Sequence, residues 1–140
     1  MKNKSYRSAI KRKKLSSPLR YLIEYSLIRG RVLDFGCGRG DDAQSMNFDR
    51  YDPYYFPKYP SGKYQTVVCN FVFNILSVRD QKIVINQLRE LLKKGGKCYI
   101  TVRRDFRQDY KVADYMQRLV KLNLPSVYRG SDYEIYLLEK

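Results

Sequence analysis

The amino-acid sequence predicts an α/β fold: a mostly parallel sheet with helices on both faces and a C-terminal antiparallel hairpin. Short apolar runs rich in β-branched residues alternate with runs of helical period, which is the pattern of βαβ units. Near the end of the chain, residues 126–138 contain two strand-like runs about a turn at residues 129–132, as in a hairpin. The 140 residues are enough for one domain with a buried core.

Four helices are predicted along the chain. A serine followed by a proline indicates the start of the first helix, over residues 16–30, and a glycine ends it. Residues 41–46 leave room for a short helix. Ser77, with an acid three residues later, predicts the capped start of a third helix, which closes at the glycines of residues 95–96. The apolar spacing over residues 112–122 predicts the fourth.

The strands preceding the final hairpin are short and apolar. Their β-branched content indicates burial on both faces, as in parallel sheets. The segment 53–63 is predicted to be a loop, because it holds three of the five prolines of the chain. The predicted strands are residues 32–35, 48–52, 66–72 and 98–102.

The charge of the chain is strongly positive and unevenly distributed. Lysine and arginine number 28 against 14 acids, a net charge of +14, and the first twenty residues hold eight basic residues and no acid. We therefore divide the chain into a basic N-terminal arm, residues 1–15, and a domain, residues 16–140. The arm is either a solvated tail or a contact for a polyanion, with nucleic acid the favoured partner. The candidate nucleic-acid-binding residues are Lys11, Arg12, Lys13 and Lys14.

Several functional classes are excluded or disfavoured. The chain has no histidine, so no mechanism can use a histidine base or a histidine metal ligand, and we expect no metal site. Membrane binding is not expected, because no apolar run approaches the roughly 18 residues that span a bilayer. Three cysteines in apolar runs indicate reduced thiols and a cytoplasmic location. No proline precedes Cys69, so we interpret it as a buried thiol, not a cytosine-C5 nucleophile.

The stretch VLDFGCGRGDD, residues 32–42, follows the first strand and indicates a ligand site. Its glycines allow a tight turn and a close approach of the backbone to a ligand. A dinucleotide fingerprint requires glycine or alanine at position 41, where this chain has Asp41. Asp41 and Asp42 would repel a pyrophosphate, whereas Asp34 and Asp41 favour a cationic ligand such as S-adenosylmethionine. Asp52 ends the second predicted strand, where an acid can accept both ribose hydroxyls.

The segment from Asp34 to Gly40, acid-x-Gly-x-Gly-x-Gly, resembles the first motif of class I methyltransferases. Together with the RSAIKR, LSSPLR, DPYY, NFVFNIL and YITVRRD segments, it resembles the methyltransferase family associated with bacterial DNA phosphorothioation, over residues 7–103. The resemblance implies a minimal Rossmann-like fold and S-adenosylmethionine as the cofactor. Residues 53–63 are too few for the usual helix and third strand. The implied cofactor-binding residues are Asp34, Gly36, Cys37, Gly38, Gly40, Asp41, Asp52, Pro53, Tyr54, Asn70 and Phe71.

Asn70 and Phe71 are the candidate catalytic residues. The segment Asn-Phe-Val-Phe, residues 70–73, is similar to the Asn/Asp-Pro-Pro-Tyr/Phe motif of enzymes that methylate base amino groups, but it lacks both prolines. The predicted function is methyl transfer from S-adenosylmethionine to nucleic acid. Two alternatives stay open: methylation of a small molecule or protein, and a non-catalytic subunit that needs a protein partner. The tyrosines of residues 51–64 either pack the edge of the domain or stack on a base.

Overall fold

The computed structural model describes residues 5–11 and 13–140. After a 3-10 turn at Ser5–Ser8, the helices are α1 (Ser17–Glu24), α2 (Asp41–Met46) and α3 (Val78–Leu91), with a second 3-10 turn at Phe73–Ile75. The strands are β1 (Val32–Phe35), β2 (Asp49–Tyr51), β3 (Tyr64–Asn70), β4 (Leu92–Arg103), β5 (Tyr110–Val112), β6 (Tyr115–Gln117), β7 (Ser126–Arg129) and β8 (Tyr133–Glu139).

Six of these strands form one sheet in the order β2-β1-β3-β4-β8-β7. The pairs among β2, β1, β3 and β4 are parallel, whereas β8 pairs antiparallel with both β4 and β7. The predicted sheet and its terminal hairpin are therefore confirmed. The carboxyl ends of the parallel strands meet at one edge of the sheet, which is where ligands bind in open α/β folds.

The helices cover both faces of this sheet, as predicted. On one face, Leu22 of α1 packs into a buried cluster with Val68, Tyr99 and Ile135. On the other, Leu88 and Leu91 of α3 pack in the larger core cluster, together with the strand residues Leu33, Val67, Cys69, Cys98 and Ile100. The buried residues of β3 and β4 alternate between the two clusters, because successive side chains of a strand point to opposite faces.

The first helix ends earlier than its sequence predicts. Ser26 adopts a left-handed conformation with a φ of 56°. Its N–H donates to the Ile23 carbonyl, and the Leu27 N–H donates to the Leu22 carbonyl at 2.9 Å. This arrangement is a Schellman motif, which ends a helix by pairing its last carbonyls. Leu27 packs beside the Leu22 cluster outside the helix, so its helical spacing from Leu22 does not mark a further turn.

The start of α3 is confirmed, but the helix ends at Leu91, before the glycines of residues 95–96 that were expected to close it. The Ser77 hydroxyl accepts a hydrogen bond from the Asp80 N–H at 3.1 Å, which is the expected N-cap. Leu92, predicted as the last apolar residue of the helix, is instead the first residue of β4 and pairs with Tyr64. Strand β4 therefore begins before the glycines that were expected to close the helix.

The predicted helix over residues 112–122 is wrong. Residues 110–117 form a separate two-stranded hairpin of β5 and β6, in which Val112 pairs with Tyr115 across a two-residue turn. Ala113 takes a φ of 43° in that turn, which a helix does not allow. A tertiary contact holds the chain in this form. The Arg118 N–H donates to the Asn74 carbonyl at 2.7 Å, and the Asn74 side-chain amide donates to the Arg118 carbonyl at 2.6 Å. The valine, tyrosine and methionine residues of this segment also suit a strand. Their intrinsic propensities therefore do not decide between a helix and a hairpin.

The segment between β2 and β3 contains no helix or further strand, as its prolines indicate. Among the strands of the described residues, β2 is consequently one edge of the sheet. Cys69 and Cys98 are fully buried in strands, as predicted for Cys69, and burial raises the pKa of both thiols. None of the described helices has the length and apolar character that crossing a membrane requires.

Candidate active site

A cavity of about 1000 Å³ lies at the carboxyl ends of the parallel strands. One end of the cavity is formed by the glycine turn after β1 and by the turn after β2. The other end is formed by residues after β3 and β4 and by the β5–β6 hairpin. All the cofactor-binding residues that the sequence predicts line this cavity. The fold brings these residues together from three separate loops. Their roles as cofactor ligands stay predictions.

The turn after β1 is fixed by the neighbouring strand. The N–H groups of Gly36 and Cys37 donate to the Tyr51 carbonyl at 2.7 and 3.0 Å. Gly36 has a φ of 77°, and a Cβ at this position would lie 2.3 Å from Val72 Cγ2. Only glycine therefore fits here without a shift of backbone or of Val72. The turn brings α2, with Asp41 in its first turn, against the cavity.

Asp52 joins the two loops at this end of the cavity. Its Oδ1 accepts the Gly38 N–H at 3.0 Å, and its Oδ2 accepts the N–H groups of Tyr54 and Tyr55 at 3.0 and 2.9 Å. The carboxylate is half-buried and lines the cavity. A carboxylate oxygen accepts more than one hydrogen bond, so Asp52 can hold the turn and still accept ligand hydroxyls.

Asp34 is the most strongly perturbed carboxyl of the cavity. Burial, together with the nearby carboxylates of Asp42 and Asp52, raises the pKa of Asp34 to about 8. Asp42 in turn accepts hydrogen bonds from the backbone N–H of Ser16, at 2.9 Å, and from its hydroxyl, at 2.5 Å. The serine that the sequence places at the helix start thus contacts Asp42, and makes no side-chain cap to α1. A cationic ligand group would favour the ionised form of Asp34.

Asn70 and Phe71 lie where β3 ends, at the end of the cavity that is formed by the residues after β3 and β4. Phe71 has a φ of 61°, its N–H donates to the Thr101 carbonyl at 2.9 Å, and its ring meets Tyr133 edge-on. The Oδ1 atom of Asn70 is buried and has no hydrogen-bond partner within the described chain. An unpaired buried carbonyl oxygen costs about 1–3 kcal/mol, so a ligand donor would be favourable there.

The sequence did not indicate several residues at the other end of the cavity. Gln117, at the end of β6, is 6% exposed, and no described residue donates to its Oε1. Arg103 forms a two-pronged ion pair with Asp105 at 2.7 and 2.8 Å, and both line the cavity with Tyr133. Gln117 and Tyr133 lie in no sequence motif, whereas Arg103 and Asp105 belong to the YITVRRD segment, to which no site role was assigned. Gln117 in particular falls in the segment that was expected to be helical, so no sequence signal pointed to it.

The arm approaches the same cavity. Lys11, Lys13 and Lys14 are exposed, and Arg12 lies outside the described residues. Ile10 and Ser16, which flank this basic run, both line the cavity. Of the tyrosines in residues 51–64, Tyr54 carries the Tyr6 ring on its face, at 3.8 Å between centroids, whereas Tyr51 and Tyr59 pack against each other.

The fold is similar to that of a solved N-methyltransferase and to those of further solved proteins. The N-methyltransferase NodS from Bradyrhizobium japonicum WM9, in complex with S-adenosyl-L-homocysteine, matches with a TM-score of 0.54 at 11% identity, over 86% of this chain and 83% of its own. The DhpI–SAH complex matches with a TM-score of 0.53 at 12% identity, over 86% of each chain. A structure describing conversion of a disulfide into a thioacetal in echinomycin biosynthesis matches with a TM-score of 0.51 at 15% identity, over 65% of this chain. This chain spans only half the length of that protein.

Comparison by sequence gives the family. No curated protein matches the chain. A family model described as a methyltransferase domain matches residues 6–137, which is nearly the whole chain and includes the glycine turn, both ends of the cavity and the terminal hairpin. The chain therefore belongs to the methyltransferase-domain family.

Proposed function

We propose that the protein is an S-adenosylmethionine-dependent methyltransferase that acts on nucleic acid. The position of the arm is the observation that supports nucleic acid as the methyl acceptor. Residues 11–15 connect Ile10 to Ser16, and both of these line the cavity. Lys11, Lys13 and Lys14 are exposed on this short connection, so their charges lie close to the rim of the cavity. A basic rim attracts a phosphate backbone and holds it near the site.

The residues of the glycine-turn end fit the cofactor. A cavity of about 1000 Å³ is large enough for a nucleoside-sized ligand. Asp52 provides an anionic acceptor for ribose hydroxyls, and Asp34 provides a buried carboxyl for a cationic group. When bound, S-adenosylmethionine supplies an electrophilic methyl group on its sulfonium sulfur.

We call the other end of the cavity, formed by residues after β3 and β4 and by the β5–β6 hairpin, the acceptor end. It suits a group that carries N–H hydrogens. Asn70 and Gln117 both present amide oxygens that lack donors among the described side chains and backbone. Phe71 and Tyr133 provide aromatic surface beside them. An exocyclic amino group of a base would donate to the amide oxygens and pack against the rings. Holding the acceptor in line with the methyl group supplies much of the rate in such a displacement.

The narrower resemblance to the family associated with bacterial DNA phosphorothioation is consistent with a nucleic-acid acceptor, and it remains a proposal. So does the boundary between the arm, residues 1–15, and the domain. The catalytic roles of Asn70 and Phe71 belong to the same proposal, as do the phosphate contacts of Lys11, Arg12, Lys13 and Lys14.

The test combines methyl transfer with a salt titration. Labelled S-adenosylmethionine is incubated with the protein and with total DNA, RNA and protein fractions, and we expect label in a nucleic-acid fraction. Binding to a labelled oligonucleotide is then measured from low to high salt for the wild type and for Lys11→Glu/Lys13→Glu/Lys14→Glu. Each phosphate contact contributes a slope of about −0.7 to −0.9 in log K against log salt, so the variant should bind weakly with a flatter slope.

A matched control uses three exposed lysines at the opposite end of the sheet. Lys93, Lys94 and Lys97 lie at the start of β4, and the cavity lies at the strand ends. Reversing these three charges to glutamate changes net charge equally but should leave the salt slope nearly unchanged. Equal slopes for the two variants, or label confined to the protein fraction, would contradict a nucleic-acid acceptor.

A further inference from the structure

The first described residues of the chain cover the glycine-turn end of the cavity. We call residues 5–10 the strap. The Tyr6 ring is stacked on Tyr54 at 3.8 Å between centroids, with 8° between the ring planes, and it meets Tyr55 edge-on at 6.5 Å. Ser5, Tyr6, Ser8, Ala9 and Ile10 all line the cavity. The strap therefore forms part of the cavity wall, although the sequence assigns it to the basic arm.

Two further contacts anchor the strap across the cavity. Arg7 forms an ion pair with Asp114 in the turn of the β5–β6 hairpin, at the acceptor end. Ala9 lies directly over Gly38, where an added Cβ would come within 3.1 Å of the Ala9 Cβ. The strap thus touches the glycine turn, the turn after β2 and the hairpin. It leaves the cavity of about 1000 Å³ open beneath it, so it lines the site and does not fill it.

A short chain of contacts leads from Tyr6 to the predicted ribose acceptor. Tyr6 packs on Tyr54, whose N–H donates to Asp52 Oδ2, and Asp52 Oδ1 accepts the Gly38 N–H. The Tyr54 side chain is 56% exposed even with Tyr6 in place, so its ring is held mainly by the Tyr6 and Tyr55 rings. A stacked aromatic pair adds stability beyond the area it buries.

From these contacts we propose that Tyr6 is a positioning residue of the cofactor site. Tyr6 holds Tyr54, and with it the turn that contains Asp52, against the bound cofactor, and the Arg7–Asp114 ion pair fastens the strap across the cavity. The inference rests on the proposed cofactor. It predicts that cofactor binding and order in the strap favour each other, because each pays part of the cost of fixing the same residues.

The experiment measures S-adenosylhomocysteine binding by calorimetry for the full-length wild type, Tyr6→Ala and Tyr6→Phe. Tyr6→Ala should raise the Kd about tenfold, the upper range for loss of a stacked pair, whereas Tyr6→Phe should stay within about twofold because the ring is kept. In parallel, trypsin cleavage in the arm, which contains Arg7 and Lys11, should be at least about fivefold slower at saturating ligand in the wild type, but not in Tyr6→Ala.

The outcomes separate this inference from the proposed function. Failure of the wild type to bind the ligand contradicts the proposed cofactor. Wild-type binding with an unchanged Kd in Tyr6→Ala overturns the positioning role and leaves the cofactor assignment in place. A lower Kd in Tyr6→Ala also overturns it, because Tyr6 would then occupy the place of the ligand. Ligand-dependent protection of the arm is a readout that a purely structural role of Tyr6 would not change.

Discussion

The two ends of the cavity differ in how their polar groups are satisfied. At the glycine-turn end, the Asp52 carboxylate accepts three backbone N–H groups and Asp42 accepts two hydrogen bonds from Ser16. At the acceptor end, the amide oxygens of Asn70 and Gln117 accept none from the described residues. The first end is already organised before a ligand arrives, whereas the second leaves acceptors for a ligand to satisfy.

This difference follows from how each end is built. The glycine-turn end is made by residues close together in sequence on adjacent parallel strands, so backbone hydrogen bonds between β1 and β2 hold it. The acceptor end is made by residues far apart in sequence. Asn74 joins them, because it donates to the Arg118 carbonyl at 2.6 Å and accepts from the Arg103 N–H at 2.8 Å. One buried asparagine therefore holds the hairpin at the end of β4.

The largest effect is expected at the organised end. Asp52→Asn should raise the Kd for S-adenosylhomocysteine about 100-fold, because hydrogen bonds to a charged acceptor contribute about 1.5–3 kcal/mol each. The variant also turns one oxygen into an NH2 group that faces backbone N–H donors. Calorimetry measures the change.

Asp49→Asn is the matched control for this substitution. Asp49 lies at the opposite end of the same strand and pairs with Arg31 and Tyr64. It should leave the Kd within about twofold, because it lies away from the cavity lining. If both variants bind alike, Asp52 is not a cofactor ligand, and the two ends no longer differ as described.

The second effect concerns Asp34. Burial and two neighbouring carboxylates raise the pKa of this residue to about 8. A cationic cofactor requires the ionised carboxylate, which is the minor form at pH 7. From pH 6 to pH 7 the ionised fraction rises about tenfold, so the affinity for S-adenosylmethionine should rise about tenfold as well. Asp34→Asn should abolish most of this dependence. A flat profile in the wild type would show that Asp34 does not meet the cationic group.

The same shift makes a prediction for the free protein. The folded-state pKa of Asp34 lies above the ordinary value of 3.8. Its contribution to stability is therefore complete below pH 3.8 and is lost as pH rises through about 8. The free energy of unfolding of the wild type should fall over this window relative to Asp34→Asn. Denaturant unfolding of both proteins at pH 5 and pH 8 measures the difference.

The sequence identified the residues after β1 and β2 that line the glycine-turn end, but it missed the strap there and Gln117 at the acceptor end. The spacing of Asp34, Gly36, Gly38 and Asp52 reflects geometry that adjacent strands impose, so a local motif carries it. Gln117 has no such motif, since its position depends on the distant Asn74. The predicted helix over residues 112–122 failed for the same reason. Ser16 shows a further limit of prediction from sequence. A serine before a helix predicts an N-cap, but the hydroxyl of Ser16 contacts Asp42 and not the helix.

The smallest effect separates an unsatisfied glutamine from a satisfied one. Gln117→Leu removes a buried carbonyl oxygen that accepts nothing from the described residues, so the free protein should gain about 1 kcal/mol of stability and melt about 3 °C higher. Methyl transfer should nevertheless fall, because the acceptor loses one of two hydrogen-bond partners.

Gln81→Leu is the control, since Gln81 donates to the Leu76 carbonyl at 3.0 Å and its loss should lower the melting temperature. Thermal unfolding and single-turnover transfer measure the two effects. A lower melting temperature for Gln117→Leu with unchanged transfer would mean that Gln117 is structural, and the acceptor end would then be organised as fully as the glycine turn.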